Sequence, residues 1–362
     1  MRKSPFAVAL LVAATVLVTG TPASAATLPS LPLPALEGVP HFDHIVVLTE
    51  ENESASSTFG AGSPAVYLNS LRSKGVFLPN YYGTGHLSLT NYIAMVSGQP
   101  PNPLTISDCG EVSLWTCAQP QGALSLGRNL ADQVEEAHLT WKSYQDGTSV
   151  PCFHGPYAAG DLSPDPYQGH STSGAKNYAD RHNPFIYFPN VIENAARCNA
   201  HQRPYADLAV DLAANTLPSF SFITPDTCND GHDDPCAGQT VGGLTAADTW
   251  LRTQLPPLLD YLATHNGLLV INFDEGDAPT GAAEFIGAPT DFGCPTCASL
   301  GAGGRTGAVL VSPRLPQGKT VSTSYDHYSL LRSIEDSLGI TEHLNLAAAA
   351  TAMTDAFAGT SP

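Results

Sequence analysis

"HIVVLTEEN", residues 44–52, sets an unbroken apolar run directly against two acids and an asparagine. The run is too short for a globular helix and reads as a buried strand. The pattern recurs. "PSFSFIT" (218–224), "LLVINF" (268–273) and "GAVLVS" (307–312) are strand-like, and "LTWKSY" (139–144) follows the helical segment "NLADQVEEAH" (129–138). Other helical patterns stand between them. They are "PAVYLNSLRSKG" (64–75), closed by Gly75; residues 245–267, with a bend expected at Pro256 and Pro257; and "YSLLRSIEDSLG" (328–339). This alternation predicts an α/β fold with a mainly parallel central sheet and helices on both faces. The intervals 99–123, 145–190 and 275–305, rich in cysteine and proline, read as long loops on that scaffold.

The acids at the strand ends carry the functional information. Glu50, Glu51 and Asn52 follow the first run; Asp226 and "NDGHDD" (229–234) follow the second; Asp274, Glu275 and Asp277 follow the third. In open α/β sheets the ligand site lies beyond the carboxyl ends of the strands. Carboxylates gathered there repel one another unless a positive charge sits between them, and a divalent cation is the simplest remedy. A single acid such as Asp226 is better explained by solvation. Acids at three strand ends are not. His232, inside "NDGHDD", and His327, ahead of a helix, add nitrogen donors, and His182 in "DRHNPF" is a weaker third.

A second stretch poses a choice. In "GTGHLSLTNYIAMVSGQ" (83–99), Ser88 and Thr90 stand between a glycine-rich turn and an apolar helix start. Either hydroxyl suits a helix cap. A hydroxyl at the positive end of a helix also suits attack on phosphorus, because free N–H groups there can hold phosphoryl oxygens.

Bulk properties set the context. Arg2 and Lys3 precede an apolar run from Phe6 to Val18, and small residues at Ala23 and Ala25 complete a secretory signal peptide over residues 1–25. Residues 26–40 read as a Pro-rich lead-in, 41–345 as one catalytic domain and 346–362 as a C-terminal tail. The formal charge of −18 becomes −20 once Arg2 and Lys3 are removed. Such a surface argues against nucleic-acid binding and against docking on anionic lipid. Eight cysteines in an exported chain read as disulfides, and proximity pairs Cys109 with Cys117, Cys152 with Cys198, Cys228 with Cys236 and Cys294 with Cys297. The mature protein is expected to be secreted, monomeric and without stable membrane insertion.

Six ordered blocks then resemble the bacterial phosphoesterase family of acid phosphatases and phospholipases C, within the alkaline-phosphatase-like superfamily. They are "VVLTEENES", "GHLSLTNYIAMVSG", "YADRHNPF", "NDGHD", "INFDEGD" and "YDHYSLLRSIEDSLGI", spread over residues 41–341. Leu87 and Thr90 stand where that family usually has prolines, Arg181 where it has lysine and Phe273 where it has tryptophan. The resemblance implies a divalent metal cofactor (Mg, Ca, Mn or Zn) held by Glu51, Asn52, Asp274 and Glu275, with Asp277 and Asp233 as further candidates. It implies Ser88 as nucleophile, Asn91 as its partner and Thr90 as a helix-start residue. His232 or His327 is implied as acid or base, and His86 and His182 as substrate-binding residues. The expected activity is a phosphomonoesterase of the acid phosphatase type, similar to phosphatidylinositol 3-phosphatases, acting on a small phosphorylated substrate or a phospholipid headgroup. A phospholipase C or other phosphodiesterase is the rival from the same family. A non-catalytic exported binding protein is the rival from another class, and it predicts no dependence on Ser88.

Overall fold

The computed structural model describes residues 36–108, 127–154, 171–172, 175–236, 238–276 and 303–360. The signal segment, Cys109, Cys117, Asp277, Cys294 and Cys297 lie outside them. Twelve strands occur among the described residues: β1 (His44–Glu50), β2 (Gly75–Leu78), β3 (Tyr81–Tyr82), β4 (Trp141–Gln145), β5 (Ser171–Thr172), β6 (Ala175–Lys176), β7 (Gln202–Pro204), β8 (Phe220–Thr224), β9 (Gly267–Phe273), β10 (Ala308–Val311), β11 (Lys319–Thr320) and β12 (Tyr325–Asp326). Eight of them form one sheet in the order β11-β2-β10-β9-β1-β8-β4-β7. β1 pairs in parallel with β8 on one side and β9 on the other, and β4 continues the parallel run to β7. β10 is the exception, antiparallel to both β2 and β9. The expected mainly parallel sheet is therefore present, with one reversed strand inside it.

Side-chain alternation along β1 divides the interior into two cores. Ile45 and Val47 join one buried cluster, Val46 and Leu48 the other. β9 does the same, sending Leu268 and Val270 to the first and Leu269, Ile271 and Phe273 to the second. The first core is closed by the helices Ser88–Ser97 and His327–Ser337, through Leu89, Tyr92, Ile93, Leu330, Leu331 and Ile334. The second is closed by Val66–Leu71 and Gly243–Thr264, through Leu68, Leu71, Leu251, Leu255 and Leu258. That last helix continues through Pro256 and Pro257, both on its exposed side. Each fully buried leucine contributes roughly 1.5–3 kcal/mol, so both faces are held mainly by apolar burial. Residues beyond 345 join the first core through Ala347, Met353 and Phe357.

Local signals end the elements. Asn129 caps Leu130–Glu136, accepting from the N–H groups of Ala131 and Asp132, while the Asp132 carboxylate accepts from the Asn129 N–H. The disulfides Cys152–Cys198 and Cys228–Cys236 are those that sequence proximity pairs. No helix among the described residues is long and apolar enough to cross a membrane.

One buried acid makes stability depend on pH. Glu335 accepts the Leu344 N–H at Oε1 (2.9 Å), while its Oε2 is buried without a partner. Burial pushes its carboxyl from the ordinary 4.5 up to about 7, so the folded state keeps a proton that the unfolded chain releases. Its contribution is fully present below about pH 4.5 and is lost as pH rises to about 7. Glu335→Gln is therefore expected to be more stable than wild type near pH 8 and close to it near pH 5, by a few kcal/mol at most. Thermal melts across that range check this; parallel pH profiles for the two proteins would refute it.

Candidate active site

Strand parity selects which acid reaches the helix Ser88–Ser97. Thr49 lies on the same face as Ile45 and Val47, and its Oγ1 is 3.7 Å from Met95 Sδ of that helix. Glu51 shares this parity; Glu50 does not. Accordingly the Ser88 hydroxyl donates to Glu51 Oε2 at 2.9 Å. Ser88 is the first helical residue and makes no capping hydrogen bond; the cap position is Leu87, at φ 75°. A non-glycine residue there is strained, a recurrent feature of functional turns. The Thr90 hydroxyl is buried without a partner and caps nothing either. The free N–H of Leu89 is taken instead by Asp108 Oδ1, at 2.9 Å. The cap reading of Ser88 thus fails on geometry.

The loop after β8 brings Asp230 to Glu51. The Glu51 N–H donates to the Asp230 carbonyl at 2.7 Å. Gly231 permits this approach: it lies at φ +103°, and a Cβ there would come within 2.8 Å of the Glu51 carbonyl. After β9, Asp274 accepts the Asn52 N–H at Oδ1 (3.1 Å). Asn52 therefore meets Asp274 through its backbone. The glycine turn lies against the same residue, since a Cβ on Gly83 would stand 2.7 Å from the Asp274 carbonyl.

His182 joins the acids, stacked on Tyr92 with ring centroids 5.3 Å apart. Its Nε2 is 3.4 Å from Glu51 Oε1 and its Nδ1 3.2 Å from Asp230 Oδ2, neither aligned as a hydrogen bond. Burial, then the charges of Arg181 and His232, push its pKa well down, so the ring is neutral. A neutral imidazole has one N–H, and its other nitrogen turns a lone pair toward a carboxylate. Glu51 Oε1, Asp230 Oδ2, Asp274 Oδ2 and both His182 nitrogens are all buried without hydrogen-bond partners. Burial, reinforced by mutual repulsion, pushes Glu51, Asp230 and Asp274 well above the usual carboxylate range. Glu51, His182 and Asp230 have ligand atoms close enough to share one cation, which would satisfy those orphaned atoms.

The other residues singled out in the sequence surround this group in different roles. Asn91 is fully buried; its Oδ1 accepts from the Thr84 and Gly85 N–H groups (2.8 and 3.1 Å). Its Nδ2 donates to Glu275 Oε2 at 3.2 Å, and His86 Nδ1 lies 3.4 Å from that same oxygen. Glu275 thus ties Asn91 and His86 together. Asp233 has both oxygens engaged, Oδ2 by the Thr227 hydroxyl (2.9 Å) and Oδ1 by His232 Nδ1 (2.8 Å). It orients His232 through Oδ1. Arg181 Nη2 lies 3.1 Å from His232 Nε2. Arginine only donates, so Nε2 carries the lone pair and Nδ1–H points at Asp233. His327 is fully buried, its Nε2 donating to the Asp274 carbonyl (2.6 Å) and its Nδ1 accepting from Tyr81 (2.9 Å). Burial lowers its pKa to about 4. Of the two histidines, His232 has the more exposed ring and is the better placed to exchange a proton. Asp277 lies outside the described residues.

Sequence reasoning missed Asp230, Asp108 and Arg181. Asp230 had a signal in the glycine beside it, since Asn-Asp-Gly turns the chain sharply and fixes which acid faces inward. Asp108 and Arg181 had none, because both act through partners distant in sequence.

Known proteins resemble this chain over most of its length. The chain is 27% identical over 328 residues to the phosphate-repressible acid phosphatase of Penicillium chrysogenum, covering 88% of this chain and 64% of that protein. It is 27% identical over 303 residues to a probable acid phosphatase of Kluyveromyces lactis, covering 81% and 58%. It therefore spans less than two thirds of the length of either fungal relative. It is 28% identical over 243 residues to the phosphatidylinositol-3-phosphatase of Mycobacterium tuberculosis, covering 67% of each. Its fold is similar to that of an alkaline phosphatase superfamily protein from Vibrio parahaemolyticus (TM-score 0.52, 13% identity, 87% and 72% coverage). The model of the phosphoesterase family matches residues 61–341, and the chain belongs to that family.

Proposed function

We propose that this protein is an exported, metal-dependent phosphomonoesterase that uses Ser88 as its nucleophile. The observation that carries the reading is the Ser88 hydroxyl donating to Glu51 Oε2, beside a carboxylate–imidazole group whose orphaned atoms fit a cation. The relatives' names, acid phosphatase and phosphatidylinositol-3-phosphatase, support monoester substrates, phosphoinositides among them. The two disulfides support export. Residues 41–345 would form the catalytic domain.

Glu51, Asp230, Asp274 and His182 would hold the cation, with Asn52 adjacent. When bound, it would supply charge to a phosphoryl oxygen and polarise the serine hydroxyl. Ser88 Oγ attacks phosphorus in line with the leaving alkoxide, and its proton passes to Glu51 Oε2. The Oγ–P bond forms as the ester P–O bond breaks, and the alkoxide takes a proton from solvent. The positive end of the helix Ser88–Ser97 would face the charge that develops on the phosphoryl oxygens. In the second half, Arg181 leaves His232 Nε2 for the phosphoryl oxygens. Water attacks the phosphoserine, and its proton goes to that nitrogen, which Asp233 holds in the receptive tautomer, and then to solvent. Glu51 returns its proton to Ser88 as phosphate leaves. Buried Asn91 and Glu275 fix the turn.

Purified protein is expected to hydrolyse p-nitrophenyl phosphate and phosphatidylinositol 3-phosphate much faster than bis-p-nitrophenyl phosphate or phosphatidylcholine. A preference for the diesters would replace this reading with the phosphodiesterase one.

A further inference from the structure

The N-terminus of the helix Ser88–Ser97 already holds an anion, and that anion belongs to the protein. Asp108 Oδ1 accepts the Leu89 N–H at 2.9 Å, and Asp108 Oδ2 lies 3.9 Å from Arg181 Nε. The carboxylate is thus placed between a first-turn N–H, one residue from the proposed nucleophile, and a guanidinium. Arg181 is itself anchored by His232 and is largely buried. Arg181 adjoins His182, whose Nε2 lies 3.4 Å from Glu51 Oε1, so the pair stands beside the acid cluster. A separate observation marks the place as a ligand site: the Thr90 hydroxyl, in the first turn of the same helix, is buried and unpartnered.

A phosphoryl group bound for attack by Ser88 needs these same donors. Its oxygens carry more charge than a carboxylate and fit the planar fork of arginine. Asp108 and a phosphoryl group cannot both occupy the donors, and their like charges repel.

We propose that Asp108 is an internal competitor for the phosphoryl seat formed by the Leu89 N–H and Arg181. Substrate displaces the carboxylate, and its return helps expel inorganic phosphate. Arg181 is the phosphate-binding residue and Asp108 the group that limits its affinity. The inference rests on the phosphomonoesterase reading of Ser88.

The two side chains have opposite expected effects, which makes the test sharp. Binding of radiolabelled inorganic phosphate is measured by equilibrium dialysis at fixed divalent cation, so that no turnover is needed. Asp108→Asn keeps an acceptor for the Leu89 N–H but loses the charge, and is expected to bind phosphate about fivefold or more tightly. Arg181→Gln is expected to bind it at least about tenfold more weakly. In turnover of p-nitrophenyl phosphate, KM should move with the dissociation constant in each variant. Asp108→Ala serves as a second charge deletion, and thermal melts identify any variant that has not folded. Unchanged or weaker phosphate binding in folded Asp108→Asn would overturn the assignment, because a purely structural cap gives no gain in affinity. Absence of monoester hydrolysis by wild type defeats the reading of Ser88. Hydrolysis without tighter binding in Asp108→Asn defeats the competitor alone.

Discussion

Ser88→Ala is expected to lower kcat by about 10³-fold or more while leaving a folded protein. The Ser88 hydroxyl donates to Glu51, and losing that hydrogen bond should cost about 1–3 kcal/mol of stability. Turnover loses far more, because water must replace an oxygen already placed against a base in a nearly dry site; Ser88 is 4% exposed and Glu51 fully buried. The covalent route adds a second readout. Wild-type protein quenched in acid during turnover should carry phosphate on the peptide spanning His86 to Asn91. Ser88→Ala should lose that label, and Thr90→Ala should keep it. Label that survives in Ser88→Ala and vanishes in Thr90→Ala would transfer the role to Thr90. Normal turnover by an unlabelled Ser88→Ala protein would favour the non-catalytic rival.

The fold was legible in the sequence where burial is two-sided and long. β1, β8 and β9 are apolar on both faces because helices cover both, so their runs stand out. The direction of β10 was not legible. Its four residues are buried on both sides, and an apolar run reads the same in a parallel or antiparallel neighbour. β7 and β11 were too short to leave a pattern. In the site, Glu51 and Asp274 were legible as acids at strand ends and Ser88 as a helix-start hydroxyl, with their roles supplied by the family resemblance. The choice between Asp230 and Asp233 was not. It depends on the left-handed turn at Gly231, which aims Asp230 at Glu51 and leaves Asp233 to hold His232.

Removing divalent cations is expected to abolish activity and to lower the melting temperature, and adding one back should restore both. Five buried atoms without partners, on Glu51, Asp230, Asp274 and His182, motivate this expectation. Three carboxylates and a neutral imidazole in one dry place repel one another unless protons or a cation intervene. Protons and a cation differ in consequence. If a cation holds the set, metal at 100 times its dissociation constant should stabilise the fold by about 2.7 kcal/mol, and elemental analysis of the active protein should find it. An imidazole among carboxylates is a borderline donor set that suits Mn²⁺ or Zn²⁺ better than Ca²⁺, so those two should restore activity most fully. Glu51→Gln, Asp230→Asn, Asp274→Asn and His182→Ala should each weaken metal binding by at least about tenfold, because each removes a ligand or its charge. Asp233→Asn separates the two roles assigned to neighbouring acids. It should bind metal like wild type and lose turnover, since it frees His232 rather than a ligand. Full activity and an unchanged melting temperature in protein shown to be metal-free would mean that the carboxylates are held by protons, and the serine would then have to act without a cation.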